Sequence, residues 1–294
     1  MNKKKIANLA PYGYITPITV ILIGFVIVSV IISIVLSFTR YNIMTPPTFY
    51  GLKNYERLVT DTKFMKALFN TLKLMVMIVP LQMILSLIVS VFLVSHRHML
   101  IGKIANSVIF IPVLCSNAAT GVIWRELLNG KIPAVETFFG LFGIKASMLL
   151  GNAKTALAVV AAVAIWKMLG YYVVIYSSGL LGISESFYEA AKVDGASTWK
   201  TYWSIVFPIM KPMHATVAVL TAMSTWNDVM TPLVIMSGTG KNTLPLAQLN
   251  FQTQFGTNYN LAFASYLLAL LPILIFYLIC QKQIINGVVN GAVK

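Results

Sequence analysis

Six stretches of this chain, at about 14–38, 67–95, 104–126, 154–182, 213–236 and 259–281, are each long and apolar enough to cross a lipid bilayer. About 20 mostly apolar residues in a helix span roughly 30 Å of hydrocarbon. A chain with six such runs has far more apolar surface than a water-soluble fold of 294 residues can cover, since 58% of its residues are hydrophobic and only 10% are charged. Inside lipid each backbone polar group must find its partner within the segment, so the crossings have to be helices. The expected fold class is therefore all-α: a polytopic membrane protein with six transmembrane helices, forming a single transmembrane domain over 1–294.

The net charge of +14 does not point to nucleic acid, because the basic residues are dispersed between apolar runs and no cluster exceeds Lys3, Lys4 and Lys5. Anionic lipid headgroups and membrane topology account for them better. Cys115 and Cys280 both fall in apolar stretches and imply neither a disulfide framework nor a metal site. The lysine triplet ahead of an apolar run superficially matches a secretory signal. The run from Tyr14 to Phe38 is too long for one and lacks a small-x-small cleavage site, so it is read as the first crossing.

An even number of crossings puts both termini on one side, and the N-terminal lysines favour the cytoplasm for it. Counted over the whole chain, Lys and Arg total ten on each side, so only the N-terminal tail carries this bias. This orientation places 96–103 and 183–212 inside the cell and 39–66, 127–153 and 237–258 outside. Pro80, Pro112, Pro232 and Pro272 lie within crossings and predict kinks, which neighbouring helices can tolerate.

The connection 183–212 differs from the others in having a helical pattern of its own. Ser186 followed three residues later by Glu189 has the form of a capping box. Gly195 after Asp194 supplies a left-handed turn, and Pro208 closes a second helix. Ala190 and Ala191 leave one helix face without bulk, so that another protein's backbone can approach closely. The string Glu189-Ala190-Ala191, three residues, Gly195, nine residues, Ile205, one residue, Phe207-Pro208 resembles the EAA signature of binding-protein-dependent ABC importers. Phe207 stands where that family usually has Leu.

The resemblance implies a type I ABC importer permease fold in which this loop is the coupling helix, inserted into a groove on a cytoplasmic ATPase. Carried over by position, Glu189 makes a charged contact with the ATPase, Gly195 allows the turn, and Ile205 and Pro208 shape the second helix, with Ala190, Ala191 and Asp194 completing the docking segment. Further resemblance to sugar and glycerol-phosphate permeases runs through Ser37-Phe38-Thr39-Arg40-Tyr41-Asn42, Phe49-Tyr50-Gly51-Leu52-Lys53-Asn54-Tyr55 and Asn70-Thr71-Leu72. The tail Gly291-Ala292-Val293-Lys294 is similar to that of the partner type of permease, which leaves the choice between the two permease slots open. The implied partners are a paralogous permease subunit, an ABC ATPase dimer, an extracytoplasmic solute-binding protein, membrane lipid and a sugar or oligosaccharide substrate. The implied location is the bacterial cytoplasmic membrane.

Charges in the middle of a crossing are expensive and default to a functional reading. Lys167 lies in the fourth crossing and Asp228 in the fifth. In one reading they line the translocation path, with Trp166, Trp226, Tyr171 and Tyr172 stacking on sugar rings while Asn227 and Asp228 accept hydroxyl hydrogen bonds. In the other they form a structural ion pair. Asn117 and Ser116 of the third crossing either face the path or join helices by hydrogen bonds, and Trp124 reads as an interfacial anchor.

No phosphate-binding G-x-x-x-x-G-K-[ST] loop occurs. Around Gly238-Thr239-Gly240-Lys241-Asn242, Ile235 stands where the first glycine belongs and Asn242 where Ser or Thr must hold Mg²⁺. The chain is thus expected to bind no cofactor itself, with ATP and Mg on the partner ATPase. His96 and His98, two residues apart, do not share a helix face, so no metal site or enzymatic centre is expected. The rival reading from another class is an ion-coupled secondary transporter or channel using Lys167 and Asp228.

Overall fold

The computed structural model describes residues 3–42, 45–151, 153–237, 241–249, 251–253 and 256–292. The Gly238-Thr239-Gly240 run and the terminal Val293-Lys294 lie outside the described residues. Helices dominate, and four are long and apolar enough to cross a membrane: Tyr12–Ser37, Thr62–Ser95, Thr155–Leu181 and Tyr259–Lys282. Two bent helix pairs, Leu100–Leu114 with Asn117–Leu127 and Thr198–Ile209 with Lys211–Asn227, bring the number of crossings to six if each counts as one.

Kinks are expected at Pro112 and Pro232, and the third and fifth crossings instead break near them, at Ser116 and Asp228. The third turns by 100°, not at Pro112 but beyond it. Ser116 leaves helical geometry and its Oγ accepts from the Ala119 backbone N–H at 3.1 Å, so an N-cap starts a second helix inside the apolar run. The fifth breaks at Asp228. The helix Lys211–Asn227 ends there, and the Asp228 carboxylate accepts from the Thr231 N–H at 3.2 Å to start Met230–Ile235.

The chain forms two compact units, 1–65 with 248–271 and 66–247 with 272–294. In the first, Thr39–Asn42 pairs antiparallel with Thr45–Phe49, a ladder the all-helical expectation does not anticipate. A second short ladder joins Gln252–Thr253 to Gly256–Thr257. After the hairpin, Gly51 at φ 62° turns the chain into the helix Lys53–Thr60. Buried Asn54 then donates to the carbonyls of Ser37 at 2.8 Å and Thr39 at 2.9 Å. Ser37 and Tyr55 are hydrogen-bonded through their hydroxyls at 2.7 Å. The Phe49–Tyr55 stretch is therefore a staple that fixes the exit of the first crossing.

In the second unit, Leu74 and Ile78 of the second crossing pack with Val160 and Val163 of the fourth and with Ile235 and Met236 of the broken fifth. Gly170 lets the third crossing approach the fourth: a Cβ there would stand 2.5 Å from the Ile109 carbonyl oxygen. At the head of the second crossing, Asn70 donates to the Asn242 carbonyl at 3.0 Å, and the Leu244 N–H donates to the fully buried Thr71 hydroxyl at 2.7 Å. These bonds clasp the segment 241–249 onto that helix.

Candidate functional site

The connection 183–212 folds into two helices set at an elbow. The first, Glu185–Val193, has Ser184 rather than Ser186 at its N-cap position, in extended backbone and with no side-chain cap bond. The Ser186 hydroxyl bonds the Ser184 hydroxyl at 2.8 Å, and no side-chain hydrogen bond closes a capping box with Glu189. Its C-terminus is closed by two bonds: Ala196 N–H to Ala191 O at 2.9 Å and Gly195 N–H to Lys192 O at 3.1 Å. That pairing is a Schellman motif, which needs a left-handed residue, and Gly195 supplies it at φ 71°. Ser197 then caps the next helix by accepting from the Lys200 N–H at 3.3 Å.

The second arm, Thr198–Ile209, contains a π-helical stretch at Tyr202–Val206 that includes Ile205. Trp199, Trp203 and Phe207 recur every four residues and form one row of rings, with centroids 5.8 Å and 4.9 Å apart. The row continues to His214 at 4.7 Å from Phe207. Glu189, Ala190, Asp194, Gly195 and Pro208 are exposed, Ala191 is buried against the protein, and Ile205 is half-buried. The elbow also presents Val193 at 87% exposure and Trp199 at 72%, an apolar tip that an isolated loop has no reason to carry. Partial burial pushes the Tyr188 and Tyr202 phenols above their ordinary value, so both stay neutral at physiological pH.

The intramembrane polar residues meet in a second place. Lys167, Tyr172, Asp228 and Asn117 line one small cavity of about 60 Å³. Gln82, Thr221, Ser224, Thr225 and Thr231 complete its polar wall. Tyr172 and Ser224 are hydrogen-bonded through their hydroxyls at 3.3 Å. Lys167 is 7% exposed and Gln82 is fully buried. Neither the amide oxygen nor the amide nitrogen of Gln82, nor the Thr221 hydroxyl, has a hydrogen-bond partner among the described residues. Lys167 and Asp228 share the cavity wall without forming an ion pair among the described residues, and the Asp228 carboxylate is engaged as a helix cap.

Four of the expected path residues are not part of this wall. Trp166 is 43% exposed and packs edge-on against Trp124 at 5.5 Å, so Trp124 belongs to a helix contact. Tyr171 is exposed and does not line the cavity that Tyr172 lines, Trp226 is buried outside its wall, and the exposed Asn227 amide donates to the Met223 carbonyl at 2.9 Å. Gln82 is the residue that the sequence reading passes over. Its one signal is a polar amide two positions after Pro80 in an otherwise apolar run. Among the described residues no group of three His, Cys, Asp or Glu side chains is arranged to hold a metal ion.

Residues 62–289 match the family model described as "Binding-protein-dependent transport system inner membrane component". Multiple sugar-binding transport system permease protein MsmG of Streptococcus mutans is 47% identical over 115 residues, which covers 39% of this chain and 42% of MsmG. The chain thus spans less than half the length of that relative. MsmF, a permease protein of the same name from the same organism, is 29% identical over 226 residues, 76% of each chain. Among solved structures, a bacterial alginate ABC transporter in complex with an alginate pentasaccharide-bound periplasmic protein superposes with a TM-score of 0.78 at 17% identity, covering 94% of both chains.

Proposed function

Because this chain belongs to the family of binding-protein-dependent transport system inner membrane components, we propose that it is one permease subunit of an ATP-driven importer for a sugar or oligosaccharide. The observation that carries the proposal is the elbow at Gly195. A capped, left-handed joint with a small-residue helix and an exposed apolar tip is shaped to be gripped by another protein. Both compact units act as parts of one permease domain, with both termini in the cytoplasm. An ATPase dimer, holding ATP and Mg, docks on the exposed Glu189, Ala190, Asp194, Gly195 and Pro208, with buried Ala191 and half-buried Ile205 behind that face. A second, similar permease completes the path, in keeping with the chain's likeness to both MsmG and MsmF. An external solute-binding protein delivers the cargo; the alginate transporter whose fold this chain shares is in complex with an alginate pentasaccharide-bound periplasmic protein.

Within the chain, the cavity of Lys167, Gln82, Tyr172, Asn117 and Asp228 is the part of the path able to hydrogen-bond hydroxyl groups. Trp166, Tyr171, Trp226 and Asn227 lie outside its wall and are assigned to helix packing or to surfaces met during rearrangement. The ion-coupled alternative finds no support, since the family model matched over residues 62–289 is that of a binding-protein-dependent transport system component.

The test is reconstitution in proteoliposomes with the co-encoded ATPase, second permease and binding protein. Uptake should require ATP, and Ala190→Cys in a Cys115→Ser background should cross-link to the ATPase. Uptake without any ATPase, or labelling of Ala190→Cys by an impermeant maleimide from outside the cell, refutes the reading.

A further inference from the structure

The second crossing carries a feature that the transport path does not use. Along its outer face, beside the start of the fourth crossing, runs an open groove of about 490 Å³. That volume lies within the range of about 300–1,000 Å³ usual for ligand pockets. Its walls are apolar, with Phe69, Val76, Met77 and Leu157 among them, and two ammonium groups border it, those of Lys73 and Lys241. No carboxylate lines it among the described residues.

The placement of the two lysines is built into the fold. Lys241 precedes Asn242, whose carbonyl is held by the buried Asn70 amide at 3.0 Å. Leu244 is tied to Thr71 by the 2.7 Å bond from its N–H. Lys73 stands one turn beyond Asn70 on the same helix, so the clasp brings Lys241 to the groove that Lys73 lines. The depth is also set. From Leu74 to Ser95 the helix carries no charge, a length of about 33 Å at 1.5 Å per residue. That matches the hydrocarbon thickness of roughly 30 Å and puts Lys73 at the headgroup boundary.

An apolar groove open to the membrane, with two fixed positive charges at headgroup depth, has the chemistry of an amphiphile that is anionic at one end and hydrocarbon at the other. We infer that this groove binds one anionic phospholipid, its acyl chain along Val76, Met77 and Leu157 and its phosphate between Lys73 and Lys241. The inference rests on the membrane location and not on the identity of the cargo.

The full-length chain in nanodiscs of phosphatidylcholine, with a minor fraction of phosphatidylglycerol carrying a photoactivatable acyl chain, provides the test. The probe should label peptides containing Val76, Met77 and Leu157. Apparent affinity, read by native mass spectrometry, should fall about fivefold for Lys73→Gln or Lys241→Gln and about thirtyfold for both together, from the roughly 1 kcal/mol that each basic residue contributes near an anionic surface. Lys→Arg at both positions should retain binding. Val76→Trp, which fills the groove and keeps both charges, should block labelling and so separates loss of the site from misfolding. Equal labelling by a phosphatidylcholine probe, indifference to the double Gln variant, or complete protection of Val76 by a co-purified partner permease overturns the assignment.

Discussion

Replacing Gly195 isolates the mechanical part of the proposal. Its φ of 71° is the only left-handed position in the elbow, and the two Schellman hydrogen bonds depend on it. No heavy atom lies within 4 Å of where a Cβ would stand, so a side chain costs torsional rather than steric free energy. A non-glycine residue in this region costs about 1–2 kcal/mol, with β-branched residues at the upper end of a range of about 1–3 kcal/mol. At about 1.4 kcal/mol per factor of ten, Gly195→Ala should reduce the population of the docking-competent elbow roughly fivefold, and Gly195→Val tens-fold to about a hundredfold. Asn tolerates the left-handed region, so Gly195→Asn should stay within a few-fold of the parent although it is larger than Ala. The assay is the affinity of detergent-solubilised permease for its ATPase, together with binding-protein-stimulated ATP hydrolysis, each normalised to the protein recovered from the membrane. A Val variant that docks and couples like the parent, or an Asn variant as impaired as Val, refutes the reasoning.

In the cavity, Gln82→Leu removes a buried amide that has no protein partner. If its only role were structural, this change should be neutral or stabilising by up to about 1–3 kcal/mol. The expected outcome is unchanged or raised thermal stability with impaired uptake, checked by melting and transport on the same preparation. The connection 127–153 provides a pH prediction. The Glu136 carboxylate accepts from the Ser147 N–H at 2.9 Å and the Ala146 N–H at 3.1 Å, and chiefly the Ser147 bond holds its carboxyl below the usual carboxylate range. Because the folded-state value is depressed, the clasp contributes at neutral pH and is lost as pH falls through that value. Amide exchange in Ala146–Gly151, corrected for its intrinsic pH dependence, should rise in acid for the parent and be flat and already raised in Glu136→Ala.

The crossings are legible in the sequence because covering so much apolar length is a one-dimensional problem. The elbow is legible because a glycine after a short helix has few uses. The breaks within crossings are not, since Ser116 and Asp228 read equally well as polar groups in a path. Only the folded backbone shows their oxygens accepting from N–H groups three residues on. The start of the first elbow helix illustrates the same limit, as two serines two residues apart offer alternative starts and the backbone puts the earlier one at the N-cap position without a side-chain cap bond. The hairpin at Thr39–Phe49 is masked by Pro46 and Pro47, which argue locally against a strand. Gln82 is hidden for another reason: the burial of its amide depends on the helices that surround it, and nothing within the second crossing encodes them.

What connects the elbow to the cavity is a stack of rings. Under the proposed docking role, work done on the elbow would have to cross the joint at Met210, where Thr198–Ile209 meets Lys211–Asn227 at 66°. A free joint would absorb that motion. This one is bridged: Phe207 lies on one side of it and His214 on the other, with centroids 4.7 Å apart. His214 Nδ1 meets the Tyr176 hydroxyl at 3.1 Å. Tyr176 and Tyr172 are both fully packed and one helical turn apart, and Tyr172 reaches the cavity through Ser224. Packed interiors transmit displacement because they do not compress. Under the docking role proposed for the elbow, these rings would let a loop outside the hydrocarbon displace a wall within it, whereas an unbridged joint would bend at Met210 and leave the cavity where it was.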